Sequence, residues 1–448
     1  MIVNKSSKNM RAERSFDVVV IGGGAAGVMA ACAAAKAGCS VLLAESGVCL
    51  GGVVTQGPLE ALMTQFDSSR KVIGGLADEL IAALTAADSA AKNVRDTTGY
   101  CSFIIPYQPE QLKLQLLRML ERYHVAYMLE ATLSSAQVEG GSVQAVCLQT
   151  KAGAVCVRGK AFVDCSGSGI LGYCAGNDVM LGDDDGVCQP VTVLSRWGGV
   201  DIPKLREYAR SHREDFKVFG GETAEGAERL HLWGFKTALR EGYESGALRL
   251  FREEMHLMES TVPGEVVVNY SRVTADPWDA FSLSAAQYEC SEQVYELYSW
   301  FKKTIPAFAA AEIIQSGYPG VRESGRVKGR RILSRDDIVS GADDGTSVAM
   351  GAFPIDIHRG DSGMRYERIL KAYCIPADAL AAESVRNLFM GGRCISSTFE
   401  ANGSCRISLT CMATGQAAGA MAAVCALNGG WTAAEAREVL VKQGAIIH

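Results

Sequence analysis

The stretch from Phe16 to Glu45 constrains the fold more than any other part of the chain. Val18-Val19-Val20-Ile21 is a β-branched run, Gly22-Gly23-Gly24-Ala25-Ala26-Gly27 follows at once, and an alanine-rich helical stretch leads to Gly38. A second apolar run, Ser40 to Ala44, is closed by Glu45. Strand, G-x-G-x-x-G, helix, strand and an acid about 20 residues on form the unit that opens a dinucleotide-binding sheet. Each part has a physical task. Gly22 permits the turn, Gly24 lets the backbone reach a pyrophosphate, and Gly27 lets the helix pack on the strand. Ala25 and Ala26 open the helix, whose N-terminus favours phosphate charge. Glu45, followed by Ser46, is placed to accept hydrogen bonds from a ribose.

Composition supports a ligand cradled by backbone. Glycine is 48 of 448 residues and proline only 11, so the glycines mark tight turns and close contacts rather than low-complexity filler. Lys+Arg 44 against Asp+Glu 50 leaves a net charge of -6, which excludes the basic footprint of a nucleic-acid binder. The 15 cysteines contain no C-x-x-C pair, so disulfide scaffold, zinc ribbon, iron–sulfur cluster and thioredoxin-type pair all lack support, and no metal site is expected. Most are expected to be buried thiols of a cytoplasmic protein. Residues 1–14 carry Lys5, Lys8, Arg11 and Arg14 with no apolar segment behind them, so a frayed tail rather than a signal peptide is expected there. Val28 to Ala37 and Ala417 to Leu427 are too short to span a membrane.

The order of segments predicts an α/β fold: a Rossmann-type domain from 15–188 and 374–448, with a small β-meander, interrupted by an α+β substrate-covering domain at 189–373. A second G-x-G-x-x-G, Gly167 to Gly172, follows the strand-like Ala161 to Asp164, but the stretch beyond it lacks the helix and strand of another βαβ unit. It reads instead as a turn beside the first ligand. Pro109 to Arg122 is an amphipathic helix, Val125 to Leu129 a strand, and Leu133 to Val157 an antiparallel meander with turns at Gly140-Gly141 and Gly153. Asn387 to Met390 predicts a strand, and Met412 to Leu427 a helix of small residues.

Motifs spread over nearly the whole chain resemble the FAD-dependent oxidoreductases of the glutathione-reductase-like superfamily, and within it the bacterial family often called simply FAD-dependent oxidoreductase, to which the flavin subunit of heterodisulfide reductase is a distant relative. They are the N-terminal glycine motif, Cys49 to Thr55, Val163 to Gly167, Gly320 to Arg326, Pro354 to His358, Asn387 to Ser396 and Cys411 to Gly419. The resemblance implies noncovalent FAD. Gly51, Gly52 and Thr55 would run along the pyrophosphate toward the flavin, Ala131 and Thr132 would sit on the adenine side, and Ser166 and Gly167 beside the nucleotide. Gly391, Gly392 and Arg393 would lead to the ribityl chain, and a helix carrying Met412, Gly415, Gln416 and Ala417 would point its N-terminus at the pyrimidine end. The chain departs from the family at Gly325, Phe399 and Asn402, where relatives often carry arginine or histidine, so the substrate is not read from a relative.

Candidate chemistry rests on few residues. His124, His212, His231, His256 and His448 lie in charged or terminal surroundings and are expected on the surface. His358 follows an apolar strand and shares it with Asp356, which makes it an acid–base or substrate-orienting candidate beside the structural alternative. Arg322 and Arg326 are candidates to hold a substrate carboxylate or the cofactor, with Arg406 and Glu400 as further pocket residues. Cys49 lacks a resolving partner. Three classes stay open: a dehydrogenase or reductase moving hydride between a small, anionic organic substrate and flavin N5, an oxidase or monooxygenase using dioxygen, and an electron-transfer subunit.

Overall fold

In a computed structural model, residues 14–360, 363–369 and 371–448 are described; the expected tail at 1–14 lies almost entirely outside them. Five parallel strands form the central sheet. Arg14–Ile21 pairs with Val41–Ala44 on one side and with the end of Gly153–Asp164 on the other; Ala126–Met128 extends the first edge and Leu388–Met390 the second. The order is 3-2-1-4-5, with the glycine motif at the carboxyl end of the central strand, where such sheets bind ligands. The meander is Thr132–Glu139, Ser142–Thr150 and the long Gly153–Asp164, whose second half joins the parallel sheet.

The helices follow from their sequences. Pro109–Arg122 begins at proline, where a missing amide does no harm, and buries Leu112, Leu116, Met119 and Leu120 on one face. Ala25–Lys36 and Ser408–Asn428 are almost wholly buried and cross at very short range. A Cβ on Gly415 would stand 2.1 Å from the Ala26 carbonyl oxygen, and one on Gly419 2.1 Å from that of Ala30. Ser408–Asn428 is, among the described residues, the helix long and apolar enough to cross a membrane, longer than the sequence stretch predicted; 94% of its apolar window is buried inside the protein.

A second layer is the antiparallel sheet His231–Gly234, Met255–Glu259, Val266–Asn269, Ser195–Gly198 and Glu312–Ser316, in that order. Strand alternation divides it. Leu232, Leu257, Val266 and Val268 enter a separate core with Trp197, Phe301 and Phe308, while Trp233, Met258 and Val267 face the other way, toward Tyr100 and Phe353. That separate core runs from Trp197 to Ala311. Within the expected covering segment 189–373, Val327, Leu333, Ile338, Val348 to Met350, Ile355 and Ile357 are instead buried with the nucleotide-binding sheet, so the chain returns to its first core well before residue 374.

Candidate functional site

One cavity of about 670 Å³ runs from the glycine motif to the second sheet. At its first end Gly22, with φ +98°, turns the chain against Cys165; a side chain there would strike the Cys165 carbonyl oxygen at 2.4 Å. Gly24 is different: a Cβ would meet nothing within 4 Å, because it points into open cavity. Glu45 is buried, and its two carboxylate oxygens accept the amides of Gly23 and Gly47, each at 2.6 Å. The acid therefore ties the glycine loop to the following turn and still has acceptor capacity facing the cavity. The loop at Gly51 and Gly52 joins this cradle, since Gly51 donates to the Gly23 carbonyl at 2.8 Å. Asp164 shapes the opposite rim, accepting from the amides of Ser166, Leu171 and Gly172 at 2.8 to 3.0 Å. Arg393 locks the rim together by donating to the carbonyls of Gly167, at 2.7 Å, and Val321.

The far end is chemically distinct. Tyr100, Trp233 and Phe353 form its aromatic wall, with ring centroids 4.7 Å (Tyr100 to Trp233) and 5.6 Å (Tyr100 to Phe353) apart. Arg322, Arg406, Asp356 and His358 line it as well. Arg322 is part-buried and donates to the Pro190 carbonyl at 2.7 Å. Arg406 reaches both the Asp356 carbonyl at 3.1 Å and its carboxylate at 3.5 Å. Burial opposes the charge of Asp356, but His358 and the guanidinium groups hold it well below the usual carboxylate range.

His358 is fixed by two partners. Arg272 carries no acceptor, so the 2.9 Å contact from its guanidinium to Nδ1 makes that nitrogen an acceptor, and the Nε2–H donates to Asp356 at 2.9 Å. Burial, with Arg322 and Arg272 nearby, lowers its pKa to about 3 despite Asp356. It is a neutral brace for the pocket wall, with no free nitrogen for the acid–base role considered from sequence.

Most predicted cofactor residues line this one cavity: Gly22, Gly24, Ala25, Ala26, Glu45, Ser46, Gly51, Gly52, Ala131, Thr132, Ser166, Gly167, Gly391, Gly392 and Arg393. Others support it from outside the wall. Gly27 packs on Gly22, Thr55 donates to the Leu50 carbonyl at 2.5 Å, and Gln416 accepts the Leu76 amide at 3.0 Å. Met412, Gly415 and Ala417 are core residues because the helix starts a turn earlier than expected, so Ile407, Ser408 and Cys411 line the cavity in their place. Arg326 is likewise absent from the wall: it is buried in an ion pair with Glu323 and donates to the carbonyls of Gly182 and Ser397. Glu400 pairs with Arg365 at the surface. His231 and His256, expected outside, are buried, and His256 lines the cavity. For His256 the available signal was the short apolar run of Met255, Leu257 and Met258 around it, the pattern of a strand buried on both faces.

The model of the FAD-dependent oxidoreductase family matches residues 17–438. Over 175 residues the chain is 33% identical to the tRNA uridine 5-carboxymethylaminomethyl modification enzyme MnmG of Geotalea uraniireducens (strain Rf4), a match covering 36% of this chain and only a quarter, 25%, of that relative. A geranylgeranyl bacteriochlorophyll reductase-like protein from Thermoplasma acidophilum superimposes with a TM-score of 0.50 at 13% identity, over 96% of this chain and 84% of its own. The p-nitrophenol 4-monooxygenase PnpA from Pseudomonas putida DLL-E4 gives 0.48 at 12% identity, over 96% and 84%.

Proposed function

Because the chain belongs to the FAD-dependent oxidoreductase family and binds FAD, we propose that it is a dehydrogenase or reductase that moves hydride between a small organic anion and that cofactor. The residues present fit FAD: the open space at Gly24, the free amides of the helix behind it and the Glu45 carboxylate suit a dinucleotide, and the cavity continues past Arg393. No side chain is assigned to covalent attachment, so heat or acid should release it. Bound there, FAD supplies the two-electron acceptor or donor; the chain supplies position, charge and exclusion of water.

The observation that carries the substrate reading is the pair of part-buried guanidinium groups at the far end. Arg322 and Arg406 line it, and among the described residues lining that end Asp356 supplies the carboxylate. A planar guanidinium pair holds a carboxylate in a defined orientation. The N-terminus of Ser408–Asn428 opens on the same space, and its dipole favours negative charge by on the order of 1 kcal/mol. The aromatic wall and the antiparallel sheet are assigned the covering role. Kinship with the glutathione-reductase-like superfamily and the heterodisulfide reductase subunit belongs to this reading on the motif set, and a cytoplasmic setting on 15 cysteines, all free thiols.

The test is an anaerobic screen of carboxylates against the holoenzyme, reading flavin absorbance. At least one carboxylate should bleach the oxidised flavin, as a hydride donor, or restore the colour of dithionite-reduced flavin without air, as a hydride acceptor, and Arg322→Met should suppress that response. Bleaching by neutral compounds alone would sink the anion reading; reduction only by external donors, with fast turnover on admission of air, would favour the oxygen-using alternative.

A further inference from the structure

The second sheet turns one row of side chains into the cavity. In its register Trp233 stands opposite His256, and His256 opposite Asn269, so three neighbouring strands present three side chains in line on one face. All three line the cavity. The row carries unmet polar capacity: His256 is 5% exposed, and neither its Nε2 nor the Oδ1 of Asn269 has a hydrogen-bond partner among the described residues.

His256 is also held in one orientation. Its ring stacks on Trp233 at 4.2 Å and 20°, and the ring of His231 meets it at 4.6 Å and 70°. His231 Nδ1 lies 3.1 Å from Asp96, whose carboxylate accepts from the amides of Thr98 and Cys101, each at 3.0 Å, and the Thr98 hydroxyl at 2.7 Å. Burial and the neighbouring His231 keep His256 uncharged, with its pKa well below the usual value. A neutral imidazole offers one donor and one acceptor. Tyr100 and Trp233, with ring centroids 4.7 Å apart, line the same cavity as Arg322 and Arg406.

Resting on the anion reading above, we propose that His256 and Asn269 form a polar subsite of this cavity, and that the substrate is a planar aromatic or conjugated carboxylate carrying a hydroxyl or amino group on the side away from its carboxylate. The carboxylate meets Arg322 and Arg406, the flat body lies along Tyr100 and Trp233, and the second polar group completes the hydrogen bonding of His256 and Asn269. Asp96 and His231 are positioning residues that act through His256.

The probes are benzoate and cinnamate, each with and without a 4-hydroxyl group, titrated into holoenzyme and read by perturbation of the flavin absorbance bands. In one of the two pairs the hydroxylated probe should bind at least about tenfold tighter, the discrimination expected when a site built for a hydroxyl is left unpaired. His256→Phe should close that gap, His256→Gln should keep part of it, and Asn269→Leu should narrow it by a separate route should the first variant fold poorly. Equal affinities in the wild-type protein, or a gap that survives both His256→Phe and Asn269→Leu, would overturn the subsite. The two readings fail differently: if no probe binds, or Arg322→Met leaves binding unchanged, the anion reading falls and takes this one with it. If Arg322→Met weakens every probe while the hydroxyl adds nothing, the subsite alone falls.

Discussion

Gly24 and Gly27 lie one helical turn apart in the same motif, yet replacing them should produce opposite failures. Gly24 has φ −65° and ψ −175°, a conformation open to any residue, and an added Cβ would meet nothing within 4 Å. Gly24→Ala should therefore fold without strain and gain about 0.4–1 kcal/mol in the apo protein by restricting the unfolded chain. Its methyl group occupies the space assigned to the pyrophosphate, so FAD affinity should drop by about ten- to a hundredfold, or about 1.4–2.7 kcal/mol; Gly24→Val should abolish retention. A Cβ on Gly27 would lie 1.8 Å from the Gly22 carbonyl oxygen. Backbone cannot yield there as a flexible side chain would, so Gly27→Ala should destabilise even the apo protein, by upward of the about 1–3 kcal/mol typical of overpacking. Urea unfolding of the apo proteins measures the first quantity, and fluorescence titration with FAD the second. Gly24→Val protein that keeps wild-type FAD affinity, or Gly24→Ala apoprotein that loses stability, would refute the assignment of the space beside Gly24 to the cofactor.

Two further outcomes follow from buried charge. Arg326→Met strands Glu323, which is fully buried and otherwise accepts from the Gly182 amide at 3.1 Å; a loss of about 3–5 kcal/mol is expected in denaturant unfolding. His358 has a native pKa of about 3 against about 6.5 unfolded. Between those values the unfolded chain binds a proton that the native site refuses. Its contribution is thus constant above about pH 6.5 and declines as pH falls toward 3, by about 1.4 kcal/mol per pH unit. His358→Gln, which can accept from Arg272 and donate to Asp356, should make the stability profile shallower by one proton in that window, as measured by unfolding across pH.

The cradle was legible because its demands are local. A turn, a close backbone approach and a ribose acceptor each impose a residue type at a fixed offset, and Gly22, Gly24 and Glu45 all border one cavity. The start of Ser408–Asn428 was not legible, since its N-cap is Ile407 and no side chain caps it, leaving the glycine spacing as the only guide. Arg326 looked like a ligand residue within a basic run; whether a guanidinium is neutralised depends on the path of the chain, here the nearby Glu323 and the distant carbonyls of Gly182 and Ser397. His231 and His256 were hidden for a related reason. Charged neighbours at Glu253, Glu254 and Glu259 suggested a surface, whereas burial came from cross-strand partners and from Tyr100, supplied by other parts of the chain.

The close crossing of Ala25–Lys36 and Ser408–Asn428 has a consequence for biogenesis. Contacts such as Cys39 to Ala423 join residues 384 positions apart, and Leu388–Met390 completes the parallel sheet equally late. At about 5–20 residues per second, a growing chain carries its first βαβ unit for on the order of 20 to 80 s before the helix that covers Ala26 and Ala30 has been made. During that interval an alanine face meant for a neighbour's backbone is bare, and the wall contributed by Gly391 to Arg393 does not exist. Cofactor loading is therefore expected only after residues 388–428 have been made, and ribosomes stalled before residue 388 should display a nascent protein that recruits chaperones rather than flavin.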